Sequence, residues 1–362
     1  MINVVHVIDS LNIGGAEKTL ITIVNNLNKK KYKLYVVTTR SSGNISHLLD
    51  PDVYLISLNR KNRFDLKKLY QFSLFLSKNN INIVHSHNHS SSYFVAICKK
   101  IFKGTWIHIM HDHHGPILYD KSKKKLDKIL LSKLDFYIAV SESLYNYGFR
   151  ELGIKKENCK LIYNSVTIPN NFSSEIKKNN LIIHLARFSP EKGQIFAISV
   201  AHMLKHKNID FTWYFVGKFN LKDDYFIKCF NLIKELGLEE NIKVLGQFED
   251  VTEFLKLGVI GVLTSKYEAM PIALLEYMAW GLPVICTKTG EMEKIITLSG
   301  GGFVVDYNDE EKFADSIELL FSNKEKRLIF GQKNKSFALD NFNIIESINR
   351  ISNIYESLVG SN

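Results

Sequence analysis

Residues 259–287 read VIGVLTSKYEAMPIALLEYMAWGLPVICT, and the architecture can be built outward from them. VIGVLTS is a short apolar run of the kind that makes a buried strand. Pro271 suits the first helical position, Gly281 suits the stop, and PVICT supplies the next strand. Strand, helix and strand in close succession make a parallel α/β unit, whose ligands bind beyond the carboxyl ends of the strands. Glu268 falls in the loop at that edge, and Glu276, eight residues on, lies about a turn and a half into the helix. A loop carboxylate there can touch the reacting end of a ligand. One in the first helical turns can accept two hydrogen bonds from a diol such as ribose. The competing reading makes Glu268 a helix-start charge and Glu276 a solvated helix residue. The flanking ALL and YMAW weigh against it, because a carboxylate in so apolar a helix needs partners.

The same alternation runs through the chain. VVHVIDS, LYVVTT, VYLISL, INIVHSH, TWIHIM, FYIAVS and CKLIYN read as strands in the first half, with helices over 17–27 and 65–78 among those between them. LIIHLAR, WYFVGK, IKVLGQ, VIGVLTS, PVICT and GFVVD follow in the second. Two consecutive parallel sheets wrapped by helices suit a chain of 362 residues, more than one core usually holds. The polar, Pro169-containing stretch 166–180 is the expected linker. The domains are then 1–168 and 169–342, with 343–362 an amphipathic helix (Ile344, Ile345, Ile348, Ile351, Ile354, Tyr355, Leu358) long enough to fold back across the first domain.

Composition narrows the function classes. No apolar run reaches membrane-spanning length and MINVVHVIDSL reads as a core strand rather than a signal peptide, so the expectation is a cytoplasmic protein. Cys98, Cys159, Cys229 and Cys286 form no CxxC pair, which argues against a disulfide framework or a zinc ribbon and for buried thiols. The net charge of +10 is uneven: residues 1–168 hold 25 Lys and Arg against 12 Asp and Glu, and the remainder 22 against 25. Lysines crowd 29–31, 99–103 and 121–128, the last running into ILLSKL. A basic amphipathic stretch suits an anionic membrane surface or a phosphate-bearing substrate; solvated helix faces explain it equally well. No nucleic-acid-binding signature accompanies the charge.

Three further segments carry chemistry. In ARFSPEKG (186–193) a strand ends at Arg187 and Lys192 follows just before a helix, two cations that make a diphosphate site without a metal. Such donors stabilise the charge that builds on a departing nucleoside diphosphate. In NIGGAEKT (12–19) Gly14 and Gly15 let backbone amides approach a phosphate or sugar, although a plain tight turn is common and the spacing is not GxGxxG. Histidines gather in HSHNH (85–89) and HIMHDHH (108–114). These raise a metallohydrolase as a rival class, but no acidic residue follows His89 at hydrolase spacing. The preferred reading is a strand-end histidine, His111, that hydrogen-bonds a sugar or acceptor.

Taken in order, IGGAE, VHSH, the His111 segment, IAVSES, IYNSV, ARFSPEKG, FVGK, VLGQFEDV, the paired glutamates and GLPVICT resemble the retaining, nucleotide-sugar-dependent glycosyltransferases of family 4. The resemblance implies the GT-B architecture, two Rossmann-like domains facing a central cleft, with an acceptor-binding first domain and a donor-binding second. It also implies transfer of a hexosyl or N-acetylhexosaminyl group with retention and without a metal, in cell-surface polysaccharide or lipopolysaccharide assembly. By it Arg187 and Lys192 bind the donor diphosphate, Glu276 the ribose, and Glu268 the transferred sugar. His111 matches a first-domain histidine that meets the donor sugar, and Gly14-Gly15 the loop over the phosphates. A glycan or polyprenyl-diphosphate acceptor at the inner membrane leaflet would make the enzyme peripheral there. The loop departs from the family where Ala269 and Met270 follow Glu268, so Met270 points to a different donor pocket; Asn164-Ser165 and Thr289-Gly290 replace an Asn-Gly and a double glycine. A nucleotide-sugar 2-epimerase of similar fold and a catalytically inactive binding module are the alternatives, the latter expected to have lost one of Arg187, Lys192, Glu268 or Glu276.

Overall fold

The computed structural model describes residues 1–62, 65–113, 121–169 and 180–360, and of residues 121–123 the backbone alone. His114 and most of the expected linker lie outside the described residues. The chain packs as two compact units, Met1–Asn164 with Ile344–Asn362, and Ser165–Asn343. The boundary falls four residues before the expected 168/169, because Val166 donates to the Phe342 carbonyl (3.1 Å) and pairs with Asn343, tying it to the second unit.

In chain order the first unit runs β1 (Ile2–Ser10), α1 (Gly15–Asn26), β2 (Tyr32–Ser41), β3 (Tyr54–Ser57), α2 (Leu66–Lys78), β4 (Ile83–His87), α3 (Asn88–Phe102), β5 (Ile107–Asp112), α4 (Lys121–Leu131), β6 (Phe136–Ala139), α5 (Glu142–Arg150) and β7 (Cys159–Leu161). The second runs β8 (Leu181–Leu185), α6 (Gln194–His206), β9 (Thr212–Val216), α7 (Asp224–Glu235), β10 (Ile242–Gly246), α8 (Thr252–Leu257), β11 (Ile260–Leu263), α9 (Ile272–Ala279), β12 (Val284–Thr287), α10 (Met292–Ser299), β13 (Gly302–Val305), α11 (Glu310–Ser322) and α12 (Lys324–Asn341). The last helix, α13 (Ile344–Gly360), returns to the first unit.

Both sheets are parallel throughout, ordered β3-β2-β1-β4-β5-β6-β7 and β10-β9-β8-β11-β12-β13. In each the strand order reverses once, between β1 and β4 and between β8 and β11. These are the switch points beside which ligands of doubly wound sheets bind.

Period-two alternation divides the first unit into two cores. Val4 and Ile8 of β1, Ile83 of β4 and Ile109 of β5 join Leu20 and Val24 of α1 and Ile348, Ile351, Ile354 and Tyr355 of α13. Val5, Val7 and Val84 face the other way, onto Leu69, Phe72 and Phe94 of α2 and α3. The apolar face of α13 is thus what holds it, each buried isoleucine contributing roughly 1.5–3 kcal/mol. The second unit packs Ile182, Trp213, Phe215, Ile260 and Ile285 against Phe196, Phe226, Phe313 and Ile317.

The stretch that opened the reading folds largely as expected. Pro271 differs: it is the N-cap (φ −72°, ψ 127°), one residue before the helix starts at Ile272. The helix ends at Ala279 with Trp280 as its C-cap, Gly281 N–H on the Met278 carbonyl (2.9 Å) and Leu282 N–H on that of Tyr277 (2.9 Å), a Schellman close. All four cysteines are buried and free. No described helix is long and apolar enough to cross a membrane.

Candidate functional site

In the second unit the loops after β8 and β11 flank the switch point and are laced together. After β8, residues Pro190–Lys192 form a short 3-10 turn that closes on Gly193. The Thr264 hydroxyl, just past β11, donates to the carbonyls of Lys192 (2.9 Å) and Gly193 (3.1 Å), and Lys266 N–H donates to Glu191 O (2.7 Å). Gly193 has φ +67°, and a Cβ on it would lie 2.0 Å from the Thr264 carbonyl oxygen, so close an approach of two backbones requires glycine. The outcome is an ion pair: Lys192 Nζ donates to Glu268 Oε1, which also accepts from Ser265 Oγ (2.9 Å). Both side chains are mostly shielded, at 21% and 11% exposure.

Arg187 projects further out. Its guanidinium stands 4.0 Å from Glu191, while its carbonyl accepts from the buried Gln194 amide (2.8 Å), which fixes the start of α6. The segment after Glu268 is clamped by the loop that follows β12. Glu291 N–H donates to Ala269 O (3.1 Å), and Gly290, at φ +54°, has no room for a Cβ, with Glu268 O 2.3 Å from where it would stand. Ala269 and Met270 are buried. Glu276 sits half-buried on α9. The structure therefore brings Lys192 and Glu268 into contact and sets Arg187, Glu276 and Met270 on the two loops and the helix they lead into.

Sequence reasoning passed over Tyr277. This buried residue reaches back from α9, donating to Ile183 O (3.0 Å) and accepting from Leu185 N–H (2.7 Å). Burial pushes its phenol up, away from ionisation. The signal was Gly261, a strand glycine whose missing side chain makes room for the Tyr277 ring.

In the first unit Gly14 caps α1 in extended conformation and Gly15 opens it, with the Ile13 N–H held by Asn44 Oδ1 (3.0 Å). Glu17, in the same turn, has its carboxyl pushed up to about 7 by burial and the nearby Asp9 charge. Sequence reasoning gave Glu17 no role; its place in IGGAE was the available signal. At the end of β1, Asp9 accepts from the buried Arg60 (2.7 Å).

The histidines that lie far apart in sequence converge. His6, His85, His87 and His111 all project on the α13 face of the sheet, near the carboxyl ends of β1, β4 and β5, and His113 follows β5. His6 Nδ1 lies 3.1 Å from His87 Nε2, and His87 Nδ1 lies 3.2 Å from His113 Nε2. The Tyr355 hydroxyl of α13 lies 2.5 Å from His85 Nδ1 and 3.2 Å from His6 Nε2. Neither nitrogen of His111, 2% exposed, has a hydrogen-bond partner among the described residues. Burial holds these imidazoles neutral, with His6 and His113 brought down to about 3 and His85, His87 and His111 also well below the usual value. His108 points to the opposite face, onto Ser86 (2.8 Å), and His89 lies by Asp127 (3.2 Å).

Asp127 is, with Leu131, an inward residue of the basic helix α4. It also accepts from Tyr93 and Tyr147, leaving Lys125, Lys128 and Ile129 exposed.

Comparison with known proteins places this geometry. Residues 13–168 match the glycosyltransferase family 4 model and residues 168–337 that of glycosyl transferases group 1. Among curated relatives, a capsular polysaccharide biosynthesis glycosyltransferase, CapH, of Staphylococcus aureus is 27% identical over 99% of both chains. A UDP-Gal:alpha-D-GlcNAc-diphosphoundecaprenol alpha-1,3-galactosyltransferase of Escherichia coli is 24% identical over 82% of this chain and 80% of its own. Among solved structures, Anabaena HepE in complex with UDP-glucose superposes with a TM-score of 0.86 at 20% identity, over 99% of this chain and all of the other, which shows a shared fold. With the two models meeting at residue 168 and the two Rossmann-like sheets beneath them, the chain belongs to the family 4, group 1 glycosyltransferases.

Proposed function

We propose that the protein transfers a hexosyl or N-acetylhexosaminyl group from a nucleoside-diphosphate sugar to a glycan or polyprenyl-diphosphate-linked acceptor, with retention, in cell-surface polysaccharide assembly. The observation that carries this reading is the Lys192–Glu268 pair, held between two laced loops at the switch point of the second sheet. Arg187 and Lys192 receive the diphosphate and take up the charge released as the sugar–oxygen bond breaks. Glu276 accepts from the ribose hydroxyls, and Glu268 supports the developing positive charge at the reacting carbon. His111 hydrogen-bonds a sugar hydroxyl, and the Gly14-Gly15 amides approach the phosphates. In this reading the departing phosphate oxygen takes the acceptor's proton as the new glycosidic bond forms on the same face, and two cationic side chains stand where a metal would otherwise be needed. Met270, buried beside Glu268, shapes the sugar pocket.

The relatives' names support the acceptor class: capsular polysaccharide biosynthesis for one and a diphosphoundecaprenol-linked sugar for another. The exposed Lys125 and Lys128 of α4 support peripheral attachment to an anionic inner leaflet. Family membership favours transfer over epimerisation, and Arg187, Lys192, Glu268 and Glu276, of which an inactive module would be expected to have lost one, are all present.

A thermal-shift panel of nucleotide sugars tests the donor, since a ligand of the folded state raises its stability. One nucleotide sugar is expected to raise the melting temperature and, with a polyprenyl-diphosphate sugar, to yield an α-linked product by NMR. A panel with no shift, or turnover of the donor without any acceptor, overturns the reading. Cosedimentation with phosphatidylglycerol vesicles that survives neutral substitution of Lys124, Lys125 and Lys128 would remove the membrane part.

A further inference from the structure

The histidines of the first unit have more nitrogen donors in one place than a sugar contact uses. His87, His111 and His113 each offer a ring nitrogen, and the three atoms all lie within 4.8 Å of one another. The rings are closely stacked, with centroids of His111 and His113 4.3 Å apart. Three histidines around a zinc-class ion, each about 2.0–2.1 Å from it, place their nitrogens about 3.4 Å apart in a tetrahedron. His87 Nδ1 and His113 Nε2 already stand at 3.2 Å.

Two nitrogens of a buried imidazole without partners, as in His111, are costly unless something binds there. The surroundings also match what orients ligating histidines. A metal-bound imidazole passes its other N–H to a neighbour that fixes its tautomer. With Nδ1 of His87 toward the ion, its Nε2–H donates to His6 Nδ1, His6 Nε2–H to the Tyr355 oxygen, and the Tyr355 hydroxyl to His85 Nδ1. Each step of that relay has a donor and an acceptor.

We propose that His87, His111 and His113 form a binding site for one divalent transition-metal ion of the zinc, cobalt or nickel class. Neutral imidazoles suit these ions, and three of them leave a fourth position open to solvent or an anion. The site is built from residues of the first unit alone, and the metal-binding inference does not require the donor reading to hold. Because it takes His111, a bound ion would inhibit sugar transfer.

The test uses the whole protein without donor. Cobalt(II) should produce the intense visible absorption of a tetrahedral site at one equivalent, and zinc(II) should displace it and raise the melting temperature. His113→Asn and His87→Gln should each weaken cobalt binding at least tenfold, with far-UV circular dichroism confirming the fold. His206→Ala serves as control, since His202 and His206 make an exposed i,i+4 pair on α6 able to hold ions weakly. Absence of a stoichiometric cobalt spectrum in the wild-type protein overturns the proposal, as does binding lost in His206→Ala but kept in the other two. The wild-type spectrum decides even if a variant fails to fold.

Discussion

The two units share one topology, a parallel sheet with its strand order reversed beside the first strand, yet they equip that point in opposite ways. The first puts its polar groups inside the strands, as neutral buried imidazoles on β1, β4 and β5. Among the described residues the second has a single buried imidazole in its strands, His184 of β8, and puts charge in the loops, as Lys192 and Glu268. An imidazole buried inside a strand without a charged partner is fixed by the sheet and stays neutral. A group in a loop can carry charge, because water and a ligand reach it.

Acid should separate the two most strongly. His6, His108 and His113 of the first unit sit at about 3, and His85, His87 and His111 are also lowered, whereas among fully buried histidines the second unit has His184, at about 3. A lowered imidazole contributes stability that is complete above the unfolded value of 6.5 and is lost as pH falls from there toward 3. Each such ring costs about 1.4 kcal/mol per pH unit in that window. The first unit is therefore expected to unfold at higher pH than the second. Trp106 reports on the first and Trp213 and Trp280 on the second, so fluorescence of Trp213→Phe/Trp280→Phe and Trp106→Phe proteins resolves them. Coincident transitions, or the second unit leaving first, would break the contrast.

The charged site should answer to chemistry rather than to stability. Lys192→Ala is expected to cut kcat by about 10²–10³, the usual cost of one lost oxyanion donor, with little change in melting temperature. Because Lys192 and Glu268 touch, Lys192→Ala with Glu268→Gln should cost less than the sum of the two single changes. A Lys192→Ala enzyme of normal rate would sink the diphosphate assignment. Glu276→Gln comes next in size. Losing hydrogen bonds to a charged acceptor is worth about 1.5–3 kcal/mol, so the donor KM should rise roughly ten- to a hundredfold while kcat holds.

How much of this was legible depended on the range of the interaction. All thirteen strand segments read from alternating composition appear as strands, because each is a local apolar run between turn residues. The loops with Arg187, Lys192 and Glu268 were legible because glycines and prolines mark them. The lacing of Thr264 to Lys192 and Gly193 was not, since it joins residues about seventy positions apart on neighbouring strands. Nor was the meeting of His6, His87, His111 and Tyr355, which depends on strand order and on where α13 docks. The missing acidic residue after His89 counted against a metal, but an all-imidazole set takes its ligands from the neighbouring ends of β4 and β5 and needs no acidic partner.

Tyr277 gives the smallest predicted effect and the sharpest one for the contrast, since it is an uncharged buried anchor under the charged loops. Its hydroxyl bonds the Leu185 amide and the Ile183 carbonyl, joining α9 to the end of β8. Tyr277→Phe keeps the ring that fills the space over Gly261 but leaves the Leu185 N–H without its acceptor, a cost of about 1–3 kcal/mol. The second unit should melt several degrees lower, with donor KM nearly unchanged, because the Lys192 loop is held by the Thr264 hydroxyl on the Lys192 and Gly193 carbonyls rather than by α9. A large rise in KM without a change in melting temperature would instead mean that Tyr277 positions Glu276, its neighbour on the helix, and that the second unit's site depends on its buried anchors as much as the first unit's does.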